Sequence, residues 1–558
     1  MSVSTPGHVP LPGTGDAGGR EAVSCDVTDC TYSGAPVNDV QKGLPKTVRS
    51  LCPECMRVIE ARLFDENGRV VMEKTCPEHG RVRDLYWSDT ELYLKAEKWT
   101  FADGNGLLNP RVRNATACPT ECGLCNRHTS HTGLGNIDLT NRCDLRCPIC
   151  FANANVSGYV YEPSYEEVVD MLKTFRSEQP VAGRVIQFSG GEPTLHPRFL
   201  DVVRAARKLG FSHIQIASNG INLSDHKFAE ECGKAGLHTV YLQFDGLSDD
   251  VYTKTRGRPL WETKERAIES IRRSGVKIVF VPTIVKGFND NEVGKILRYA
   301  LDNIDVVSGI SYQPVAFTGR ISMKEREDKR FTLPDLAWAV ENQTGLVKAR
   351  RDWYPTGCLT PFTRFVAAVR GEETLHLTCH PHCSLATYLF VSTESGEAVP
   401  APEFIDVESM FLDMDKFSRS VPRSRFRAFA KVKAFNSIKR HFREDKAPKG
   451  LTFQVFLNTL QGLMDKRVGR GREAAAPRTY KTLLLAGMHF MDAYNYDVDR
   501  ARRCVVHYSA PNGRLYPFCT YNSGPTFRDM IEKEYSTPLD EWKGMRQGGG
   551  CSVARSES

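Results

Sequence analysis

LGNIDLTNRCDLRCPIC (residues 134–150) joins a short apolar run, Asn136–Leu139, to a loop whose three thiols are spaced CxxxCxxC. Thiolates of Cys143, Cys147 and Cys150 on one tight loop can hold three corners of a cube-shaped [4Fe–4S] cluster, leaving its fourth iron without a protein ligand. That iron is then open to chelation by a small molecule, whereas a four-cysteine cluster mainly passes electrons. A structural zinc or a chance grouping is the plainer alternative. Because the loop follows a strand-like run, it falls at the carboxyl end of a first strand, the edge where parallel α/β sheets carry their active sites.

Working outward, residues 134–320 alternate strand and helix patterns. Apolar runs at Arg184–Phe188, His213–Ala217, Thr239–Phe244, Lys277–Ile284 and Gly309–Val315 predict buried parallel strands. Helix-period segments at Glu166–Arg176, Arg198–Leu209, Lys227–Ala235, Glu262–Ser274 and Glu292–Leu301 lie between them. Such βα repeats predict an α/β fold with a parallel sheet, open or curled into part of a barrel. Polar motifs sit at successive strand ends. Ser189-Gly-Gly-Glu-Pro-Thr194 offers two glycines for close backbone approach to a ligand, and Glu192 can accept a bond from an ammonium group. Ser218-Asn219-Gly220 suits a ribose. Gln243-Phe244-Asp245-Gly246 and Thr255-Arg-Gly-Arg258 follow, and Arg256 or Arg258 suits a carboxylate.

In this order the motifs resemble the radical S-adenosylmethionine (SAM) superfamily. The resemblance implies a partial (βα)6 barrel, a cluster held by Cys143, Cys147 and Cys150, and reductive cleavage of SAM to a 5′-deoxyadenosyl radical. It also implies that Gly190, Gly191 and Glu192 bind the methionine part of SAM. The ribose and carboxylate fall to Ser218, Asn219 and one of Arg256 and Arg258, with Asp245 in the same set.

The chain has eighteen cysteines in 558 residues, and its first forty residues contain no apolar core of a secretory signal. A disulfide framework is therefore a poor explanation for them. Cys52, Cys55, Cys76 and His79 match a mononuclear site of rubredoxin or zinc-ribbon type, for iron or zinc. A turn at Asp65-Glu66-Asn67-Gly68 predicts the hairpin that brings Cys52 and Cys55 together with Cys76 and His79. Cys118, Cys122, Cys125, Cys358, Cys379, Cys383, Cys504 and Cys519 would complete two auxiliary [4Fe–4S] clusters; one cluster plus buried inert thiols is the alternative. His128, His131, His380 and His382 read as neighbours of ligands rather than ligands. Cys25, Cys30, Cys232 and Cys551 stand alone.

The expected organisation is a disordered leader (1–45), a metal module (46–90), a linker with cluster cysteines (91–133), the SAM core (134–320), an auxiliary-cluster region (321–400), an α+β C-terminal Fe–S region with helices (401–546) and a disordered tail (547–558). Beyond the core, CPEC and CPEHG, CPTECGLCNRHTSHT, TCHPHCSLATYLF (Thr378–Phe390) and the long motif Met488–Asn522 follow one another. This layout resembles the archaeal tetraether lipid synthase group, whose members also include radical SAM methyltransferases acting on a dihydropterin. Two activities are implied. One is C–C coupling of lipid alkyl termini; the other is C-methylation of a pterin or other small molecule with a folate-type one-carbon donor. A non-enzymatic multi-cluster electron carrier is a third possibility, in which Gly190-Gly191-Glu192 would serve no ligand. A reductant such as flavodoxin or ferredoxin is the expected electron source.

The net charge of +7 permits contact with anionic lipid without demanding it, and no apolar run is long enough to span a membrane. The expected location is the cytoplasm, with peripheral membrane contact through the basic, Phe-rich segment Arg423–Lys449, or else that segment is a core helix with a solvated face. No nucleic-acid-binding module is recognisable.

Overall fold

The computed structural model describes residues 40–101, 106–148, 150, 154, 158–317, 322–370, 373–420, 435–463, 479–525 and 527–548. Most of the expected leader and tail, with Cys25, Cys30 and Cys551, lie outside these residues, as does 421–434 of the basic segment.

The N-terminal ribbon is a four-stranded antiparallel meander: β1 (Lys46–Leu51), β2 (Val58–Glu66), β3 (Arg69–Cys76) and β4 (Gly80–Trp87). The β2–β3 hairpin turns on Asn67 and Gly68, at φ +55° and +76°, the left-handed pair of a type I′ turn.

The core sheet begins with β5 (Leu134–Thr140), β6 (Val185–Gly190), β7 (His213–Ser218), β8 (Thr239–Gln243), β9 (Lys277–Val281) and β10 (Val307–Pro314). These run parallel and adjacent in chain order. Each crossover helix covers the sheet with an apolar stripe. In Tyr165–Arg176 the stripe is Val168, Met171, Leu172 and Phe175, at helical spacing, and a Ser164–Glu167 capping box starts the helix.

The C-terminal chain then extends this sheet at both edges. β12 (Tyr480–Met488) pairs parallel with β10, and β13 (Val506–Ser509) pairs parallel with β5. β11 (Ser384–Ser392) and β14 (Leu515–Pro517) add antiparallel strands outside them. The result is an open, curled half-barrel whose two ends do not pair. The regions expected at 321–400 and 401–546 thus both supply strands to the core sheet itself, β11 from the first and β12, β13 and β14 from the second. Within the described part of the basic segment, Phe442 packs on Phe404, Phe453 and Phe456, so this ring belongs to a core rather than to a free amphipathic face. Among the described residues no helix is long and apolar enough to cross a membrane.

Candidate active site

The cysteine loop springs from the end of β5 and is held by backbone bonds to the loop after β6. The Gly191 N–H donates to the Thr140 carbonyl at 2.7 Å and the Glu192 N–H to the Arg142 carbonyl at 2.8 Å. Gly190 sits at φ +118°, and a Cβ there would overlap the Thr140 carbonyl oxygen. A Cβ on Gly191 would lie 2.7 Å from the Arg142 carbonyl carbon and closer still to its oxygen. The glycines therefore let two loops nest while their own backbone lines a cavity.

Cys143, Cys147 and Cys150 are half-buried and line that cavity. The Leu145 N–H points at Cys143 Sγ (3.4 Å) and the Ala154 N–H at Cys150 Sγ (3.5 Å), the setting in which amides support a thiolate. Without a metal, burial pushes the Cys143 thiol up to about 12. Binding a cluster would therefore release its proton.

Glu192 lies behind the cavity wall. It is fully buried; Oε1 accepts from Thr194 Oγ1 (2.6 Å) and Ser218 Oγ (3.0 Å), and Oε2 from the Asn219 N–H (2.9 Å). Its carboxylate ties the loops after β6 and β7 together directly behind the Gly190, Gly191, Ser218 and Asn219 lining. Asp245, also fully buried, receives Arg256 in a bidentate pair (Nε–Oδ2 2.6 Å, Nη2–Oδ1 2.9 Å) and the Thr283 N–H at 3.0 Å. Arg256 reaches the cavity beside Cys147. Arg258 is exposed and is not among the described residues that line the cavity. Ser218 and Asn219 line the wall, and Asn219 Nδ2 bonds Asp144 Oδ1 at 2.5 Å, tying it to the cysteine loop.

Several participants carried no sequence signal. Lys264, on the helix Trp261–Ser274, is fully buried; its Nζ donates to the Asn219 carbonyl (2.5 Å) and Gln243 Oε1 (2.8 Å). Burial lowers its pKa to about 7. Arg528 lines the cavity and pairs with Asp138 (2.7 Å) and Glu532 (2.9 Å), while Asp138 receives Ser189 Oγ at 2.8 Å. These are an unremarkable helix lysine and helix arginine by pattern, placed by tertiary packing alone. The cavity measures about 610 Å³. It reaches from the three cysteines to Cys358, with an aromatic wall of Tyr508, Phe518 and Phe490.

The remaining thiols fall into local groups. Cys118, Cys122 and Cys125 are buried together, Cys358 adjoins Cys379, and Cys383 and Cys519 lie beside buried Arg500 with Cys504 next to them. Burial raises Cys118, Cys379 and Cys519 to about 12. In the ribbon, Cys52, Cys55, Cys76 and His79 place one ligand atom each within 4.8 Å of one another, the tight set a single ion needs. His79 also pulls the Cys76 thiol down to about 6, favouring the thiolate.

The family model of the radical SAM superfamily matches residues 137–300, and that of the HMPTM N-terminal zinc ribbon domain matches 44–88. A 7,8-dihydro-6-hydroxymethylpterin dimethyltransferase of Methanocaldococcus jannaschii is 42% identical over 512 residues, covering 91% of this chain and 99% of its own. The chain belongs to the radical SAM superfamily. As a radical SAM enzyme it works with a [4Fe–4S] cluster and SAM, and a loop of three thiols beside a cavity fits both groups. A GTP 3′,8-cyclase of Clostridium acetobutylicum is 25% identical, covering 43% of the radical SAM chain and 77% of the cyclase. The crystal structure of SuiB of Streptococcus suis bound to S-adenosylmethionine is 18% identical at a TM-score of 0.32, covering 39% of this chain and 48% of that one.

Proposed function

We propose that this enzyme is a radical SAM C-methyltransferase acting on a pterin-like heterocycle, with a folate-type molecule as one-carbon donor. The observation that carries the reading is the end-to-end match to a pterin dimethyltransferase, 99% of whose length is covered. The cavity supports it. At about 610 Å³ it suits SAM with part of a small-molecule substrate. Among its described lining, the charged side chains are Arg256 and Arg528, each already paired with a carboxylate. With Arg256 assigned to the carboxylate of SAM, the other described lining cation is Arg528, paired with both Asp138 and Glu532, which favours a neutral ring over a polyphosphate such as that of the GTP named for the cyclase relative. Coupling of lipid alkyl termini is the weaker reading, because the relative that spans the chain acts on a pterin.

In this scheme Cys143, Cys147 and Cys150 hold the SAM-binding cluster. When bound, cluster and SAM supply a 5′-deoxyadenosyl radical that can take hydrogen from a strong C–H bond. The Gly190–Gly191 backbone cradles the methionine end, Ser218 and Asn219 face the ribose, and Arg256 faces the carboxylate. Glu192, Asp245 and Lys264 position these groups from behind the wall. The eight remaining grouped thiols, five buried and three half-buried, hold auxiliary [4Fe–4S] clusters, and the ribbon ligands hold one zinc. A flavodoxin or ferredoxin supplies electrons.

The test is anaerobic incubation of the cluster-loaded enzyme with reductant, SAM, a labelled folate-type donor and 7,8-dihydro-6-hydroxymethylpterin. The expected product is a pterin heavier by one methylene unit per transfer and carrying the label. An unchanged pterin alongside lipids that lose a hydrogen pair per new bond would replace this reading with alkyl coupling.

A further inference from the structure

Three carboxamides stand side by side at one depth of the barrel, and two of them, Asn136 and Gln187, line the cavity. The register aligns Asn136 on β5 with Gln187 on β6, and Gln187 with Gln215 on β7. Gln215 Nε2 donates to Gln187 Oε1 at 2.8 Å, and Gln187 Nε2 donates to Asn136 Oδ1 at 2.8 Å. The oxygens of Gln187 and Asn136 are thus each used by the rung before, and the polarity runs one way along the ladder, from Gln215 to Asn136. At its end Asn136 Nδ2 is buried and has no acceptor among the described residues. Asn136 is fully buried yet lines the cavity. While Gln187 keeps its bond from Gln215, turning the Asn136 amide would set its NH₂ against that of Gln187, so the ladder keeps Asn136 a donor at the cavity lining. A buried donor left unmet is rare in folded proteins and points to a missing partner.

Beside it, Tyr508 on β13 is in register with Asn136 and contributes to the aromatic wall with Phe518. A flat ring lying on that wall would present its edge to the Asn136 N–H. We propose that Asn136 is a specificity-determining residue. Its Nδ2–H, oriented by Gln187 and Gln215, donates to the ring carbonyl oxygen of a planar lactam-type heterocycle and rejects a ring bearing an amino group at that position. This rests on the pterin reading above and deepens it.

The test uses two probes on the cluster-loaded enzyme under anaerobic conditions. One is 7,8-dihydro-6-hydroxymethylpterin, which has a ring carbonyl; the other is the corresponding 2,4-diaminopteridine, which carries an amino group there. The wild type is expected to bind the carbonyl form about tenfold or more tightly than the amino form. Asn136→Asp replaces the donor by an acceptor of the same shape and should reverse that order. Gln187→Glu leaves Asn136 in place but offers it only acceptor oxygens. Its amide should then turn, and the preference should reverse again, which protects the test if Asn136→Asp fails to fold. An order unchanged in both folded variants overturns the assignment while leaving the pterin reading intact. A wild type that binds neither pteridine overturns the pterin reading and this inference with it.

Discussion

Replacing Gly191 by Ala should uncouple the cysteine loop from the rest of the site without removing any ligand. The new Cβ would meet the Arg142 carbonyl and the Asn141 carbonyl carbon, the latter at 3.0 Å. All the obstructing atoms are backbone, so no rotamer change relieves the overlap. To reach ordinary contact the loop must retreat by roughly 1.2 Å from the nearest oxygen, that of Arg142. Such a retreat stretches the Gly191–Thr140 and Glu192–Arg142 backbone bonds, 2.7 and 2.8 Å long, each contributing about 0.5–1.5 kcal/mol. It also shifts the loop bearing Cys143, Cys147 and Cys150 against the SAM-binding wall. Misplacement of reacting groups on the order of 1 Å costs about a hundredfold in rate. The expected result for Gly191→Ala is therefore 5′-deoxyadenosine formation reduced about a hundredfold, with auxiliary iron retained. The assay is anaerobic turnover with chromatographic detection of 5′-deoxyadenosine, alongside iron and sulfide analysis. Gly544→Ala is the control: that glycine is exposed, in a helix, with open space around it, so Ala there should be neutral or slightly stabilising. If Gly191→Ala cleaves SAM at the wild-type rate with a full iron count, the nesting of the two loops does not set the cluster geometry.

Three further outcomes follow from buried charges. Glu192→Ala leaves the hydroxyls of Thr194 and Ser218 and the Asn219 N–H without their acceptor, at about 1–3 kcal/mol for each group that stays unmet; thermal denaturation should show the loss, and calorimetric titration a weakened SAM affinity. Arg256→Ala strands the buried Asp245 carboxylate and should destabilise by about 3–5 kcal/mol, whereas Arg258→Ala at an exposed position should stay within about 0.5 kcal/mol, measured by denaturant unfolding. Burial raises Glu178 from 4.5 to about 8, so the folded chain holds a proton there that the unfolded chain releases. Stability should accordingly fall as pH rises from about 4.5 to 8, by up to about 5 kcal/mol, and Glu178→Gln should flatten that slope in melts across the range.

The parallel core was legible because its strands and helices announce themselves by local period. The predicted helix Glu262–Ser274 is Trp261–Ser274 in the structure, and the predicted strand His213–Ala217 is His213–Ser218. The Asn67-Gly68 turn was equally readable, since a two-residue I′ hairpin is chosen by those residue types. What stayed hidden is long-range. Residues Tyr480–Met488 alternate in burial like any half-buried strand, and nothing local tells that they dock beside β10, some 170 residues earlier. Glu192 and Arg258 show the same limit from the other side. A motif supplies a carboxylate and a guanidinium near the right strand ends, but only packing decides that one turns inward to hold loops and the other outward to solvent.

The C-terminal strands also bear on why so many thiols belong to one chain. A parallel sheet ending at β5 and β10 would expose two edges with unpaired backbone groups, an aggregation hazard that proteins cover. Here β12 and β13 cover them. The segment joining β12 to β13 carries Cys504, the helix after β14 carries Cys519, and Cys383 lies just before β11. The same segments therefore close the sheet edges and bring Cys383 and Cys519 beside Arg500 with Cys504 next to them. The ribbon is bound into this arrangement too: Ser50 Oγ donates to the Tyr496 carbonyl at 2.5 Å, Lys74 Nζ to the Ala493 carbonyl at 2.8 Å, and Tyr86 pairs with Asp497. Residues 134–320 alone would then leave both edges open and lose every one of these ties, so SAM cleavage and the outer thiols are parts of one folding unit rather than modules added to a self-sufficient barrel.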